Sequence, residues 1–159
     1  MRRYAFIVLV LLCASPSGAS YSGGDGSALD PYRIATAQDL ADLTLDPDNW
    51  QRHFRLVADV DMREIPSPLI HTIGNDEIAF SGVFDGDGRI IRSFTCTDPQ
   101  GDTAGLFGQV RSDQALICDV ILVDPNVRAE ATEYVGVAAL VGRLSRGLVI
   151  RCRVERAHV

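Results

Sequence analysis

The segment Ala104-Gly105-Leu106-Phe107-Gly108 returns 34 residues later as Ala138-Ala139-Leu140-Val141-Gly142. A unit that recurs at a fixed period constrains a chain more than its composition does, because each copy must bury its apolar face against the next. The first copy runs on into Ile117-Cys118-Asp119-Val120-Ile121-Leu122, and the second into Val149-Ile150-Arg151-Cys152-Arg153-Val154. A variant copy lies upstream, where Phe80-Ser81-Gly82-Val83-Phe84-Asp85-Gly86 leads into Ile91-Arg92-Ser93-Phe94-Thr95-Cys96. Apolar residues fall at i, i+3 and i+5 in all three: Ile91, Phe94, Cys96; Ile117, Val120, Leu122; Val149, Cys152, Val154.

No helical period runs through these units, so helix-based repeats are excluded. Strands that recur without intervening helices cannot form ordinary βαβ crossovers. The expected solution is a right-handed single-stranded parallel β-helix, an all-β solenoid in which matching positions stack at the ~4.8 Å strand spacing. The expected ladders place Ile91 over Ile117 over Val149, Phe94 over Val120 over Cys152, and Cys96 over Leu122. Gly105, Gly108, Gly136 and Gly142 are expected to turn the chain between faces.

Ahead of the repeats, Thr36 to Leu43 reads as a short helix. Thr36 serves as N-cap, Asp39 sits at the positive end, and Ala37, Leu40 and Ala41 form the buried stripe. A helix over about 37–45 would cover the first unit and its otherwise unpaired edge. From Phe54 the period changes to two, with Leu56, Ala58 and Val60 alternating against Arg55, Val57 and Asp59.

The start of the chain is different. Met1-Arg2-Arg3, an apolar run from Tyr4 to Ala14, and Ser17-Gly18-Ala19 read as a secretory signal peptide. The alternative use of Cys13 as a lipidation site is disfavoured by bulky Leu11 and Leu12. Three parts are therefore expected: a signal peptide over 1–19, a lead-in and capping helix over 20–50, and repeats over 51–159. No other stretch approaches a membrane span, and the apolar run Val135 to Val141 belongs to the repeat and hence to the core. Without Arg2 and Arg3, 13 basic residues (all arginine) face 21 acidic ones. That balance repels phosphate backbones and excludes nucleic acid as a partner.

In these features the chain resembles the GLUG-motif proteins of bacteria. The resemblance rests on residues 80–88, 104–108 and 135–142, on Asp30-Pro31-Tyr32-Arg33-Ile34 with Thr36-Ala37-Gln38-Asp39-Leu40, and on His53 to Met62. It implies an exported or surface protein, adhesin-like, or an accessory repeat of a secreted peptidase whose chemistry sits in another domain. The sequence stops at Val159 directly after a strand, so the last unit is expected to be uncapped. It would be covered by a partner, associate end to end, or belong to a shortened gene product.

Sharper chemical readings are weaker. Asp59 and Asp61 on one strand face are the acid–base pair a polysaccharide hydrolase or lyase would need. The neighbouring outward positions, expected to be Arg92, Cys118 and Ile150, build no cluster around them. Asp85-Gly86-Asp87-Gly88 lacks the later ligands of a calcium loop, and Gly23-Gly24-Asp25-Gly26-Ser27-Ala28 misses an aspartate of the calcium-binding nonapeptide; both read as turns. His53, His71 and His158 share no ligand spacing. Trp50 is expected between the helix and the first unit. Cys96, Cys118 and Cys152 are spaced unlike any zinc site, and the expected register leaves all three unbridged. The expectation is a non-enzymatic surface module for adhesion, scaffolding or interaction with a protein or carbohydrate, with no catalytic residue, cofactor or metal. The alternative is a carbohydrate-active β-helix enzyme.

Overall fold

The alternating and repeated apolar positions do form strands. The computed structural model describes residues 21–66, 69–98, 103–129 and 136–159. The expected leader over 1–19, with Cys13, lies outside the described residues. The strands are β1 (Tyr32–Ile34), β2 (His53–Leu56), β3 (Val60–Asp61), β4 (Val83–Asp85), β5 (Ile90–Arg92), β6 (Thr95–Asp98) and β7 (Thr103–Ala104). They continue with β8 (Phe107–Cys118), β9 (Ile121–Val123), β10 (Asn126–Ala129), β11 (Gly136–Val137), β12 (Val141–Ile150) and β13 (Arg153–Glu155). Among the described residues an α-helix, α1 (Ala37–Thr44), precedes β2.

Among the described residues every strand pairing is parallel. One sheet runs β1-β2-β4-β8-β12, a second β3-β5-β9-β13, and two small ones join β6 to β10 and β7 to β11. Chain-adjacent strands therefore mostly belong to different sheets, and each unit adds one strand to several sheets at once. The fold is predominantly β, with parallel sheets, as expected.

The register corrects the expected ladders. In the first sheet Phe54 lies beside Phe84, Phe84 beside Ile117, and Ile117 beside Val149. In the second, Val60 pairs with Ile91, Ile91 with Leu122, and Leu122 with Val154. Ile91 and Ile117 are both fully buried but belong to different sheets. Cys96 pairs with Val127, not Leu122, and Phe94 immediately precedes that pairing instead of stacking on Val120.

The cause is a backbone feature. Ser93, Asp119, Asp124 and Arg151 all have left-handed φ, between 52° and 56°. Each sits at i+2 of an apolar i, i+3, i+5 triplet, so that rhythm marks a one-residue bend and not one particular sheet. Two such bends occur in each of the last two described units, one after β8 or β12 and one after β9 or β13, and the unit before them has one, after β5. The expected alignment matched the second bend of one unit to the first bend of the next.

The upstream repeat also moves. Phe107 pairs with Val141 as the 34-residue echo requires, but Ala104 pairs with Val137, one residue out of step. The counterpart of Phe107 one unit earlier is Ile73, with Gly108 N–H donating to Ile73 O at 2.9 Å. Phe80 bridges Val110 instead.

Aromatic rings run through the core. Phe54 and Phe80 centroids are 6.5 Å apart, Phe80 and Phe107 5.0 Å, and Phe84 and Phe107 5.3 Å in an edge-on contact. All four are fully buried, each contributing about 1.5–3 kcal/mol by leaving water. At the chain start α1 closes this core. Thr36 Oγ1 accepts from Asp39 N–H at 3.1 Å, and the Asp39 carboxylate accepts from the Thr36 and Ala35 N–H groups and the Ser22 hydroxyl. That capping box orients the stripe of Leu40 and Leu43, both fully buried. Trp50 lies where expected, buried against the helix, its Nε1–H donating to Leu43 O at 2.8 Å.

Candidate functional site

Because Phe54, Phe84, Ile117 and Val149 point inward, the next residue of each strand points out. This places Arg55, Asp85, Cys118 and Ile150 in one row on the outer face of the first sheet. Arg55 Nη2 lies 2.9 Å from Asp85 Oδ2. The Cys118 thiol donates to Asp85 Oδ1 at 3.9 Å. At the bend that follows, Arg151 grips Asp119 with two hydrogen bonds of 2.6 Å.

Ligand atoms of Asp85, Cys118 and Asp119 fall within 4.8 Å of one another. The electrostatics do not favour a cation there. Both carboxylates are engaged by guanidinium groups, and the hydrogen bond from Arg151 holds Asp119 below the usual carboxylate range. Burial, reinforced by Asp85 and Asp119, pushes the Cys118 thiol up to about 11. A metal would have to displace two arginines and a proton. The arrangement closes its own charges.

The same solution recurs. Arg156 holds Asp124 with hydrogen bonds of 2.6 and 3.0 Å, both residues being left-handed and one unit apart. Asp76 meets Arg143 at 3.3 Å, and Asp113 meets Arg146 at 3.7 Å. Acid and base one unit apart, or two in the case of Asp76 and Arg143, thus neutralise one another along the outside of the molecule. Linear spacing alone does not reveal these pairs, since the partners are one or two repeats apart and are matched only once the register is known.

The acid–base candidates are not brought together as a working pair. Asp59 Oδ1 accepts the Ile90 N–H at 3.0 Å, joining two units. Asp61 accepts from the Arg63 backbone N–H and is ion-paired with the Arg63 guanidinium, which lowers its carboxyl to about 2. The row beside Asp61 is Arg92, Val123 and Glu155, a correction to the expected Cys118 and Ile150.

Both glycine-rich segments are turns. Asp85 Oδ1 accepts the Asp87 N–H at 2.9 Å, and Asp25 Oδ1 accepts the Ser27 N–H at 2.8 Å. His53 opens β2, His71 is exposed with its N–H donating to Thr44 Oγ1, and His158 is exposed beside Asn126. No two of them converge. Cys96 and Cys118 are buried and Cys152 half-buried, all as thiols. A polar hollow of about 300 Å³ lies between Asn126, Val127 and Arg128 and the final residues Ala157 to Val159.

The last unit differs from those beneath it. β11, β12 and β13 each form the edge of their sheet. Leu144, Leu148 and Val154 are exposed, and Val149 and Cys152 only partly covered, whereas Ile117, Val120 and Leu122 below them are fully buried.

No family model matches the chain. It is 30% identical over 134 residues to a protein of Evansella cellulosilytica provisionally named a Gly-rich membrane protein, covering 79% of this chain and 14% of that one. It is 32% identical over 97 residues to halomucin of Haloquadratum walsbyi, covering 55% of this chain and 1% of that one. The chain thus spans only a small part of the length of these relatives. Among solved structures, a Bacteroides ovatus protein provisionally named an immunoglobulin A1 protease superposes with a TM-score of 0.63 at 20% identity. That match takes in 84% of this chain and 40% of the other, and it is a likeness of fold. Among the described residues no helix is long and apolar enough to cross a membrane.

Proposed function

We propose that the chain is a right-handed parallel β-helix module of the GLUG type, working outside the cell as a non-enzymatic surface for adhesion, scaffolding or interaction. Four parallel sheets that each gain strands from successive units support the solenoid reading. One observation carries the functional reading: the outer charges are paired off from unit to unit, through Arg55–Asp85, Asp119–Arg151 and Asp124–Arg156. An enzyme of this architecture needs unpaired acid and base groups facing a shared cleft. Asp59 and Asp61, the best candidates, each accept a backbone N–H, Asp59 from Ile90 of the next unit and Asp61 from nearby Arg63. The long relatives, one named as a membrane protein and one as a mucin, agree with a repeat carried at a surface.

The test pairs two assays on the 159-residue chain. Expression with its own leader, followed by fractionation, should find the protein outside the cytoplasm. Incubation with a panel of neutral and acidic polysaccharides should yield retention on some surface and no new reducing ends. Polysaccharide cleavage abolished by Asp59→Asn or Asp61→Asn would overturn the reading in favour of a carbohydrate-active enzyme.

A further inference from the structure

Successive units differ in length along the first sheet. Ile73 lies beside Phe107 and Phe80 beside Val110, so Gly108 and Gln109 of the later unit face the longer stretch Gly74 to Ala79 of the earlier one. Further along the imbalance reverses. Between the Phe80–Val110 and Val83–Leu116 contacts, Ser81 and Gly82 of the earlier unit face Arg111 to Ala115 of the later one. Each unit therefore carries an insertion that the other lacks, at 75–79 and at 111–115. Insertions into stacked repeats project as loops, and such loops often form the binding face. The strands beside them, β4 and β8, each have a neighbour on both sides.

The two insertions are fastened together. Arg111 Nη2 donates to Asp76 O at 3.1 Å, and Arg143 Nη1 lies 3.3 Å from Asp76 Oδ1. Gln109, only 4% exposed, turns its amide to donate to Asp76 and accept from Arg111. Within the first insertion Asn75 Oδ1 accepts the Glu77 and Ile78 N–H groups at 3.0 and 2.8 Å, and Asn75 N–H donates to Ile78 O at 2.9 Å. In the second, Ser112 Oγ accepts the Gln114 N–H at 3.1 Å. These bonds order a loop whose Ile78 side chain stays 47% exposed. An apolar group held in water on an ordered loop adds little to folding, and much of its ordering cost for binding is already met.

We propose that the paired insertions are the docking site for a polypeptide partner, with Ile78 as apolar anchor and Glu77, Arg111, Asp113 and Gln114 as its polar rim. The proposal rests on the interaction-module reading and names its site and class of partner. Two observations favour a polypeptide over a carbohydrate. Sugar rings pack against flat aromatic faces, yet among the described residues every Phe and Trp is buried, and half-buried Tyr32 is taken up by Tyr21 and Phe54. The site also joins an apolar centre to a rim of both charge signs, Glu77 and Asp113 with Arg111 and Arg143, which is the anatomy of protein–protein contacts.

The probe is a library of random dodecapeptides displayed on phage and selected on the full chain. Selected sequences are expected to converge on a shared apolar position. Synthesised with a fluorophore, they should bind the parent at least tenfold more tightly than Ile78→Asp and at least threefold more tightly than Gln114→Arg. Both side chains are exposed, so thermal melts of the variants should match the parent; if one variant fails to fold, the other carries the test. Selection without convergence overturns the inference, as do peptides that bind parent and variants equally. So does a glycan array on which a sugar binds the parent and is lost with Ile78→Asp. Ligands indifferent to both substitutions would put recognition elsewhere and leave the interaction-module reading standing, whereas polysaccharide cleavage would remove that reading itself.

Discussion

Gly86 sits where two units touch. A Cβ there would come within 2.7 Å of the Val120 Cα, in backbone that cannot swing aside. Gly88, two residues on, has open space around it but a φ of +69°. Gly86→Ala is therefore expected to cost about 3 kcal/mol, as other forced overpacking does, and Gly88→Ala about 1 kcal/mol from backbone strain alone. Urea unfolding of both variants checks the order, and equal losses would show that the units can move apart. At Cys118 the prediction concerns pH. The folded thiol titrates near 11 against an ordinary value of 9.0, so below pH 9 both states keep the proton and its contribution is intact. Between 9 and 11 only the unfolded chain gives the proton up, and stability falls by no more than about 2 kcal/mol. Tyr21, raised by burial and by its hydrogen bond to Asp46, adds a loss of the same sign. Comparison with Cys118→Ala isolates the thiol: that variant should lose less stability across this window. The inward character of Ile91, Ile117 and Leu122 was legible from apolar rhythm, because burial depends on local alternation. Of their partners only Val149 beside Ile117 was legible, because the same rhythm flanks both bends of a unit and the residues at the bends are Ser, Asp and Arg, not the glycines that mark left-handed backbone in a sequence.

Among the elements, α1 was the most legible. Thr36, Asp39 and the Leu40 stripe are local signals, and the capping box uses all three. Asp39 is only 5% exposed while its carboxylate takes three donors. Asp39→Ala strands those donors and is expected to destabilise the fold by about 2–4 kcal/mol, with Asp39→Asn recovering part of the loss. A thermal melt indistinguishable from the parent would count against the helix as the closure of the core. Removing residues 36–45 altogether should expose the end of the stack and raise the apparent mass in sedimentation. The bends make a contrasting case. Asp119 and Asp124 adopt left-handed backbone, which costs a non-glycine residue about 1–3 kcal/mol, while each solvent-exposed ion pair returns little. Glycine at either position should then leave stability within about 1 kcal/mol of the parent, whereas Asp119→Val, which is β-branched and uncharged, should lose about 2 kcal/mol. The ion pairs set the match between units more than they set the free energy.

At the scale of the described residues, cover decreases toward the last unit. Ile117 is sealed between Phe84 and Val149, while Val149 has a neighbour on one side only. Local opening should follow that order. Cys152 is half-buried on the last described unit, Cys118 is buried one unit deeper and Cys96 two units deeper. Alkylation of the native protein is expected to label Cys152 first, with Cys118 and Cys96 reacting only as the stack opens; mass spectrometry of digested time points reads the sequence of events. Simultaneous labelling of all three would mean that the units open as one.

The uniformly parallel pairing has a mechanical consequence. The two ends of the described chain lie at opposite ends of the stack, so tension between them pulls successive units apart along the direction of the hydrogen bonds between strands. Bonds loaded this way break one after another, as in a zipper, and not together, as in strands sheared past each other. Each released unit of about 32 residues pays out roughly 110 Å of chain at the extended length per residue. The molecule should therefore lengthen under load in small, even, low-force steps, one unit at a time.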